Sequence, residues 1–434
     1  MTSEQTPPFS HGRSVMAIGA FAGIFLGVTG CGYSAANEVT YQPKTVTILG
    51  QLSAEDQPKF EAAMVPFEEE TGIDVIYESS DNFNSLLRMR ITSFNKPDLV
   101  LLPQPGLMVE LADAGHLVPL TQFMNASSVK SAYSDSWLEL GAVEDELYGL
   151  WFRISVQSLI WYRPTAFEAK GYDIPNTWSK LTALSNQIAA DGETPWCIGL
   201  ENGAASGQTG TDWIEEFLLR TSGPEVYSQW IDHRIPFNSP QVLNAFNEFG
   251  KLVQNEEIVS GGAKGTITTS ESEAALGIFN NPPDCYLHRQ GNPISSVFPE
   301  GKIPRVDYDA FPFPSIDPKF GSPLLVSGEL MVMFNQTPES EALMNYLLTP
   351  VPHETWAKLG GFLSPHREVA LEAYPDLVTQ NISQILSDAD GVRFDASDLM
   401  PGYVGTDIFW SGVMEFVEGK PAAEVVKEID QSWP

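Results

Sequence analysis

The side chains that could do chemistry are 56 carboxylates, six histidines, three cysteines and an aromatic set of 10 Trp, 13 Tyr and 24 Phe. The histidines stand at 11, 116, 233, 288, 353 and 366, with no HExxH or CxxC spacing, so they do not read as a metal box. There is no G-x-S-x-G elbow, no P-loop and no G-x-G-x-x-G after a strand. A glycosidase needs only two well-placed carboxylates, but among 56 acids some pair can always be proposed, so that signal carries no specificity. The absent motifs argue against an enzyme.

Charge narrows the partners. A net charge of −32 repels nucleic acid and anionic lipid, and it describes a solvated, non-adhesive surface. The 434 residues suggest two or three domains at roughly 150 residues each, and 43% hydrophobic residues rule out global disorder. The cysteines divide by position. Arg13 is followed by an uncharged apolar run, Val15 to Gly30, about as long as a signal peptide's hydrophobic region. Its end, Val28-Thr29-Gly30-Cys31, resembles a bacterial lipobox. The expectation is a lipoprotein signal over 1–30, lipidation at Cys31 and a tether over 31–45. Cys197 and Cys285 remain. In an exported chain two leftover cysteines usually pair, and the long loop they close makes the bond worth about 4–5 kcal/mol on a chain-entropy argument. Two buried free thiols are the alternative.

The elements that must position these groups alternate strand and helix. Val46 to Leu49 is a β-type run ended by Gly50, and Phe60, Met64 and Phe67 share a helical face. Pro66 inside that face predicts a bend or an early stop, and Gly72 a left-handed C-terminal cap. Ile73, Val75 and Tyr77 alternate as a strand, Leu86 to Phe94 is helical, and Leu99 to Leu102 is continuously apolar, as strands of a parallel sheet are. Tyr148 to Tyr162 is aromatic and β-branched. Residues 165 to 303 are mostly helical patterns, and strand material returns at 308–314 and 330–334. Thr337-Pro338-Glu339 then reads as a helix start, with Thr337 as its cap. The return of strands predicts an α/β chain that crosses between two lobes more than once.

These motifs in order carry a resemblance. Phe67-Glu68-Glu69-Glu70-Thr71-Gly72-Ile73-Asp74-Val75 followed by Pro97-Asp98-Leu99-Val100 resembles the sugar-binding solute-binding proteins of ABC transporters, the class that includes maltose-binding protein. Leu102-Pro103-Gln104-Pro105-Gly106, Ser158-Leu159-Ile160-Trp161-Tyr162 and Thr211-Asp212-Trp213-Ile214-Glu215 are similar to its α-glucoside-binding branch. So are Pro282-Pro283-Asp284-Cys285, Asp395-Ala396-Ser397-Asp398-Leu399-Met400-Pro401 and the terminal Ile429-Asp430-Gln431-Ser432-Trp433-Pro434. The likeness covers nearly all of 45–434. It departs after the first strand, where Gln51-Leu52-Ser53 replaces the usual Trp-Ser-Gly and an aromatic that could face the ligand is missing.

The resemblance implies a hinged two-lobe α/β periplasmic-binding-protein fold of type II with discontinuous lobes: 46–150 the N-terminal lobe, 151–310 mainly the C-terminal lobe, 311–434 shared. A sugar presents apolar C–H faces to aromatic rings and a hydroxyl rim to amides and carboxylates. Trp410 matches the stacking tryptophan of the resembled family, with plain packing as its alternative. Gln51 and Gln104 follow strands, at the end where α/β sheets take ligands. Asp81 follows the second strand and could instead cap a helix near Phe83. Arg153, in an aromatic strand, must be salt-bridged or in the cleft. Asp212 could bind ligand or cap the Trp213 helix. Gln290, Asn292 and Glu329 fall in loops that line the cleft in relatives. Asp398 could bind ligand or stabilise its own turn. The implied function is capture of a neutral α-glucoside-type sugar, a disaccharide or glucosyl-polyol, for an ABC permease and its ATPase. The chain is then monomeric, lipid-anchored outside the cell or in the periplasm, and needs no cofactor. The alternatives are another small polar solute, or a lipid-anchored glycoside hydrolase.

Overall fold

A computed structural model describes residues 44–434 apart from Asp81 and Asp390. The expected leader, tether and Cys31 lie outside the described residues. Along the chain run β1 (Lys44–Gly50), α1 (Gln57–Thr71), β2 (Ile73–Ser79), α2 (Phe83–Thr92), β3 (Leu99–Leu102), α3 (Pro105–Asp113) and β4 (Gly149–Val156). Then come β5 (Leu159–Tyr162), β6 (Trp196–Cys197), α4 (Gln208–Ser222), α5 (Glu271–Leu276), β7 (Leu287–Arg289) and β8 (Asp309–Pro312). β9 (Leu324–Met333), β10 (Val392–Phe394), α6 (Ala396–Leu399), α7 (Trp410–Glu418) and α8 (Ala422–Gln431) complete the frame.

Local rules explain the first units. The four residues of β3 are all buried because β1 runs parallel on one side and β9 antiparallel on the other. Gly72 closes α1 at φ 67°, where only glycine is unstrained, and its N–H reaches the Glu68 carbonyl at 2.8 Å. Pro66 does not end α1. Phe60, Met64 and Phe67 are buried on both sides of it, and that packing holds the helix to Thr71. At the start of the Pro338–Leu347 helix, Thr337 Oγ1 accepts the Ser340 N–H at 3.0 Å, the cap that the sequence predicts.

Two sheets result. In the first, β2, β1 and β3 lie side by side, and β9 follows. One edge of β9 carries β3 and β10 in succession, the other carries β4. In the second, the order is β8-β5-β7-β6. Each has its own apolar core. Phe60, Phe152, Trp356 and Phe362 pack in the first, and Trp213, Phe217, Phe249 and Phe313 in the second. The chain changes sheet through Gln157-Ser158, returns after β8 to form β9, and leaves again after β10, so neither sheet is one continuous stretch. The aromatic, β-branched stretch 148–162 forms two strands, β4 and β5, in two different sheets. Cys197 and Cys285 are joined in a disulfide, with Cα atoms 5.6 Å apart. The bond ties β6 to the segment entering β7.

Candidate functional site

Arg153 resolves as a salt-bridged residue. β4 and β9 slip register between Glu329 and Leu330, and such a bulge re-aims side chains. Arg153 and Glu329 face each other there. Nε donates to Glu329 Oε2 at 2.7 Å and Nη2 to Oε1 at 3.0 Å, a two-point fork. Nη1 donates to Asp56 Oδ2 at 2.7 Å, just before α1, and the guanidinium lies 5.1 Å from the Trp356 ring. Burial works against the charge, but Glu329 and Asp56 outweigh it and raise the Arg153 pKa.

The second lobe concentrates charge on α4. Asp212, Glu215, Glu216 and Arg220 are all buried. Asp212 is not a cap: Gly207 is the N-cap, at φ 100°, and a Cβ there would collide with the Trp410 carbonyl oxygen. Arg289 Nη1 donates to Asp212 Oδ2 at 2.8 Å and Nη2 to Glu216 Oε1 at 3.4 Å; Arg220 donates to Glu216 and to the Pro323 carbonyl. Glu215 accepts the backbone N–H groups of Ala396 at 2.8 Å and Ser397 at 3.2 Å, and the Tyr227 hydroxyl at 2.7 Å. It therefore fastens α6 to α4. The turn-stabilising role weighed for Asp398 belongs to Asp395, which accepts from Ser397 N–H at 2.9 Å and Asp398 N–H at 3.3 Å. Trp410, half-buried, donates its indole N–H to Ser397 Oγ at 3.3 Å.

Crowding sets the electrostatics. Burial pushes Asp212 well above the usual carboxylate range; Arg289 opposes this and Asp395 adds to it. Glu215 and Asp398 are raised by burial first, then by the charges of Asp395 and Asp212.

Gln290 follows β7, at a strand carboxyl end, and lines a cavity of about 270 Å³ with Gln157, Thr209, Asp212 and Glu271. Asn292 instead braces the frame, its Oδ1 accepting the Val156 N–H at 2.8 Å. Gln104 and Asn84 from the first lobe meet Asp398 and Thr406 from the second around a gap of about 40 Å³. Beside it a Cβ on Gly106 would lie 3.0 Å from the Leu399 carbonyl oxygen, so the lobes touch there. The structure thus brings Asp212 and Gln290 to one cavity and Asp398 and Gln104 to another, sets Trp410 against Ser397 beside Asp398, and keeps Arg153 and Glu329 in a separate cluster. Gln51 stands exposed past β1, and Asp81 lies outside the described residues. Glu271, Gln157 and Asn84 were not anticipated. The one signal was Gln157-Ser158, a polar pair interrupting the apolar run of 148–162. Among the described residues no group of His, Cys, Asp and Glu could hold a metal ion, and no helix is long and apolar enough to cross a membrane.

Two sheets with separate cores, three crossings and polar side chains meeting at the seam define a two-lobe binding protein. The chain matches the bacterial extracellular solute-binding protein family over residues 50–352 and belongs to it. Its relatives are named as binding proteins, not enzymes, so the hydrolase alternative falls. The osmoprotective compounds-binding protein GgtB of Synechocystis sp. is 46% identical over 391 residues, spanning 90% of this chain and 93% of GgtB. The alpha-glucosides-binding periplasmic protein AglE of Rhizobium meliloti is 38% identical over 398 residues, 90% of this chain and 87% of AglE. The solved structure of the solute receptor AcbH, described as preferring β-D-galactopyranose, superposes with a TM-score of 0.75 at 16% identity, covering 90% of this chain and 98% of that one. That last likeness shows the fold, a two-lobe type II periplasmic-binding-protein architecture.

Proposed function

We propose that this protein is the substrate-binding component of an ABC importer, taking an α-glucoside-type sugar, a disaccharide or glucosyl-polyol, between its lobes and delivering it to a membrane permease and its ATPase. The observation that carries the reading is the polar ground along the second lobe: Asp398 meets Gln104 of the first lobe, Trp410 is bonded to Ser397 beside it, and Asp212 and Gln290 line a cavity of their own. An aromatic face bordered by carboxylates and amides suits a sugar ring and its hydroxyls. The names of GgtB and AglE support an osmoprotective or α-glucosidic solute. Binding closes the lobes on a hinge at Gln157-Ser158 and β9. Lipidation at Cys31 then holds a monomer to the outer face of a membrane by the 31–45 tether.

A thermal-shift screen of neutral disaccharides and glucosyl-polyols tests this. A ligand at a hundred times its dissociation constant raises stability by about 2.7 kcal/mol. Trp410→Ala weakens the best ligand by about 1–4 kcal/mol in calorimetry, the range of a binding hot spot. Unchanged affinity assigns Trp410 to packing.

A further inference from the structure

We propose that the cavity behind Gln290 is a subsite for the hydroxylated end of a neutral solute, that Glu271 is its specificity-determining residue, and that the cavity rejects solutes carrying a carboxylate or phosphate there. The inference rests on the sugar-binding reading above and adds which part of the solute is read and what is refused.

The walls supply the argument. Asp212 and Glu271 are the charged residues lining the cavity, and among the described residues no Lys, Arg or His lines it. Arg289, behind Asp212, is itself fully buried and engaged by Asp212 and Glu216. The donors beside Glu271 are already in use, which leaves the Gln208 amide and the Ser272 and Ser296 hydroxyls on the lining. Gln290 Nε2 donates to Glu271 Oε2 at 3.0 Å and Thr209 Oγ1 at 3.3 Å, Thr209 Oγ1 donates to Glu271 Oε2 at 3.1 Å, and Gln157 Nε2 donates to Ser327 Oγ at 2.7 Å. The buried Gln157 Oε1 has no hydrogen-bond partner among the described residues, whereas Asp212, 4% exposed, is paired with Arg289 and faces Asp395. An orphaned buried acceptor asks for a donor, which a hydroxyl supplies and an anion cannot. At about 270 Å³ the space takes one sugar ring or a short polyol rather than an oligosaccharide.

Glu271 holds this wall together. It opens α5, whose capping box is closed by Ser270 and Glu273, so its position does not depend on its own side-chain bonds. It accepts from both Thr209 and Gln290 and thereby fixes the Gln290 amide against the cavity. Like charges brought together across a dry contact repel strongly, which sets the expected scale of discrimination.

The experiment compares matched pairs by calorimetry: an α-glucosyl glycerol against the α-glucosyl glycerate that differs by one oxidised carbon, and methyl α-glucoside against methyl α-glucuronide. The neutral member of at least one pair binds, and its acid partner binds at least about 100-fold more weakly. Glu271→Gln narrows that ratio about tenfold, while Glu273→Gln, outside the cavity, leaves it unchanged; thermal unfolding of both variants checks that they fold. If acid and neutral partners bind alike, or Glu271→Gln leaves the ratio intact, the subsite is overturned and the sugar-binding reading stands. If no neutral member binds, the reading and the subsite fall together.

Discussion

The two ion-pair clusters are built on opposite rules. Around Arg153, one guanidinium takes two carboxylates, Lys59 Nζ lies 3.6 Å from Asp56, and the side chains remain 21% (Arg153), 22% (Asp56) and 12% (Glu329) exposed, so a second cation and water share the negative charge. Around Arg289 the side chains of Arg220, Glu216 and Arg289 are 0% exposed, and Glu215, Asp395 and Asp398 crowd the same end of α4. The wetted cluster can relax when a partner is lost. The buried one cannot, because each charge there depends on another for its solvation. Surplus acid is therefore stored where the solute is expected to arrive, held in place by backbone N–H groups and two arginines rather than by water.

The largest effect sharpens the contrast from behind. Replacing Cys197 and Cys285 by Ser releases β6 from the entry to β7, and the chain-entropy argument sets the loss at about 4–5 kcal/mol in urea unfolding. A loss under about 1 kcal/mol would mean that the second sheet holds its edge without the bond. Next, Arg289→Met leaves Asp212 buried without its cation and Glu216 with Arg220 alone, and costs about 3–5 kcal/mol, whereas Arg153→Met, with water at hand, costs about 1–2 kcal/mol. Equal losses would erase the distinction between the clusters.

A smaller effect separates them by pH. Asp212, Glu215 and Asp398 hold protons above the usual carboxylate range. Unfolded carboxyls ionise at about pH 4, so the native state binds more protons from there up to the raised values, and stability falls as pH rises through that window. His353, on the first core, behaves oppositely. Burial and then the neighbouring His366 push it down to about 3, and its ring bonds to Ser364 Oγ and the Leu347 carbonyl. The unfolded imidazole takes a proton at about 6.5, so stability falls as pH drops from there toward the folded value. His288 in β7, pushed down to about 4 by burial, adds to the acid-side loss. Melting temperatures over roughly pH 4–8 should show Asp398→Asn flattening the alkaline-side fall and leaving the acid-side one. The smallest effect is that of salt. Screening a charge of −32 raises the melting temperature, while the affinity of a neutral solute barely changes; a steep loss of affinity with salt would point to a cationic one.

What the sequence made legible was local. The Gly72 cap, the Thr337 cap and the buried β3 are each decided within a few residues, and all three appear as expected. Pro66 misled because its effect was overridden by tertiary packing of Phe60, Met64 and Phe67. Within Asp395-Ala396-Ser397-Asp398 the sequence marked a turn but not which aspartate closes it; the choice follows from Glu215, far off in sequence, gripping Ala396 and Ser397. Arg153 could be read as paired or cleft-facing, yet its partners Asp56 and Glu329 lie 97 and 176 residues away, beyond any local pattern. Glu271 read as one more acid at a helix start, because the cavity that gives it meaning is assembled from residues 157, 209, 212, 271 and 290.

The place of β9 also bears on how this chain reaches its shape. Its residues 330–333 flank β3, and its other edge receives β4, so the first sheet has a gap at its middle until residue 333 is present. A polypeptide made and threaded from its N-terminus thus emerges with β1, β2 and β3 and no means of finishing the layer they begin. The unfinished sheet keeps the chain slack through most of its synthesis, since pairings this distant in sequence form late and slowly. The late completion of the first sheet is written into the strand order itself.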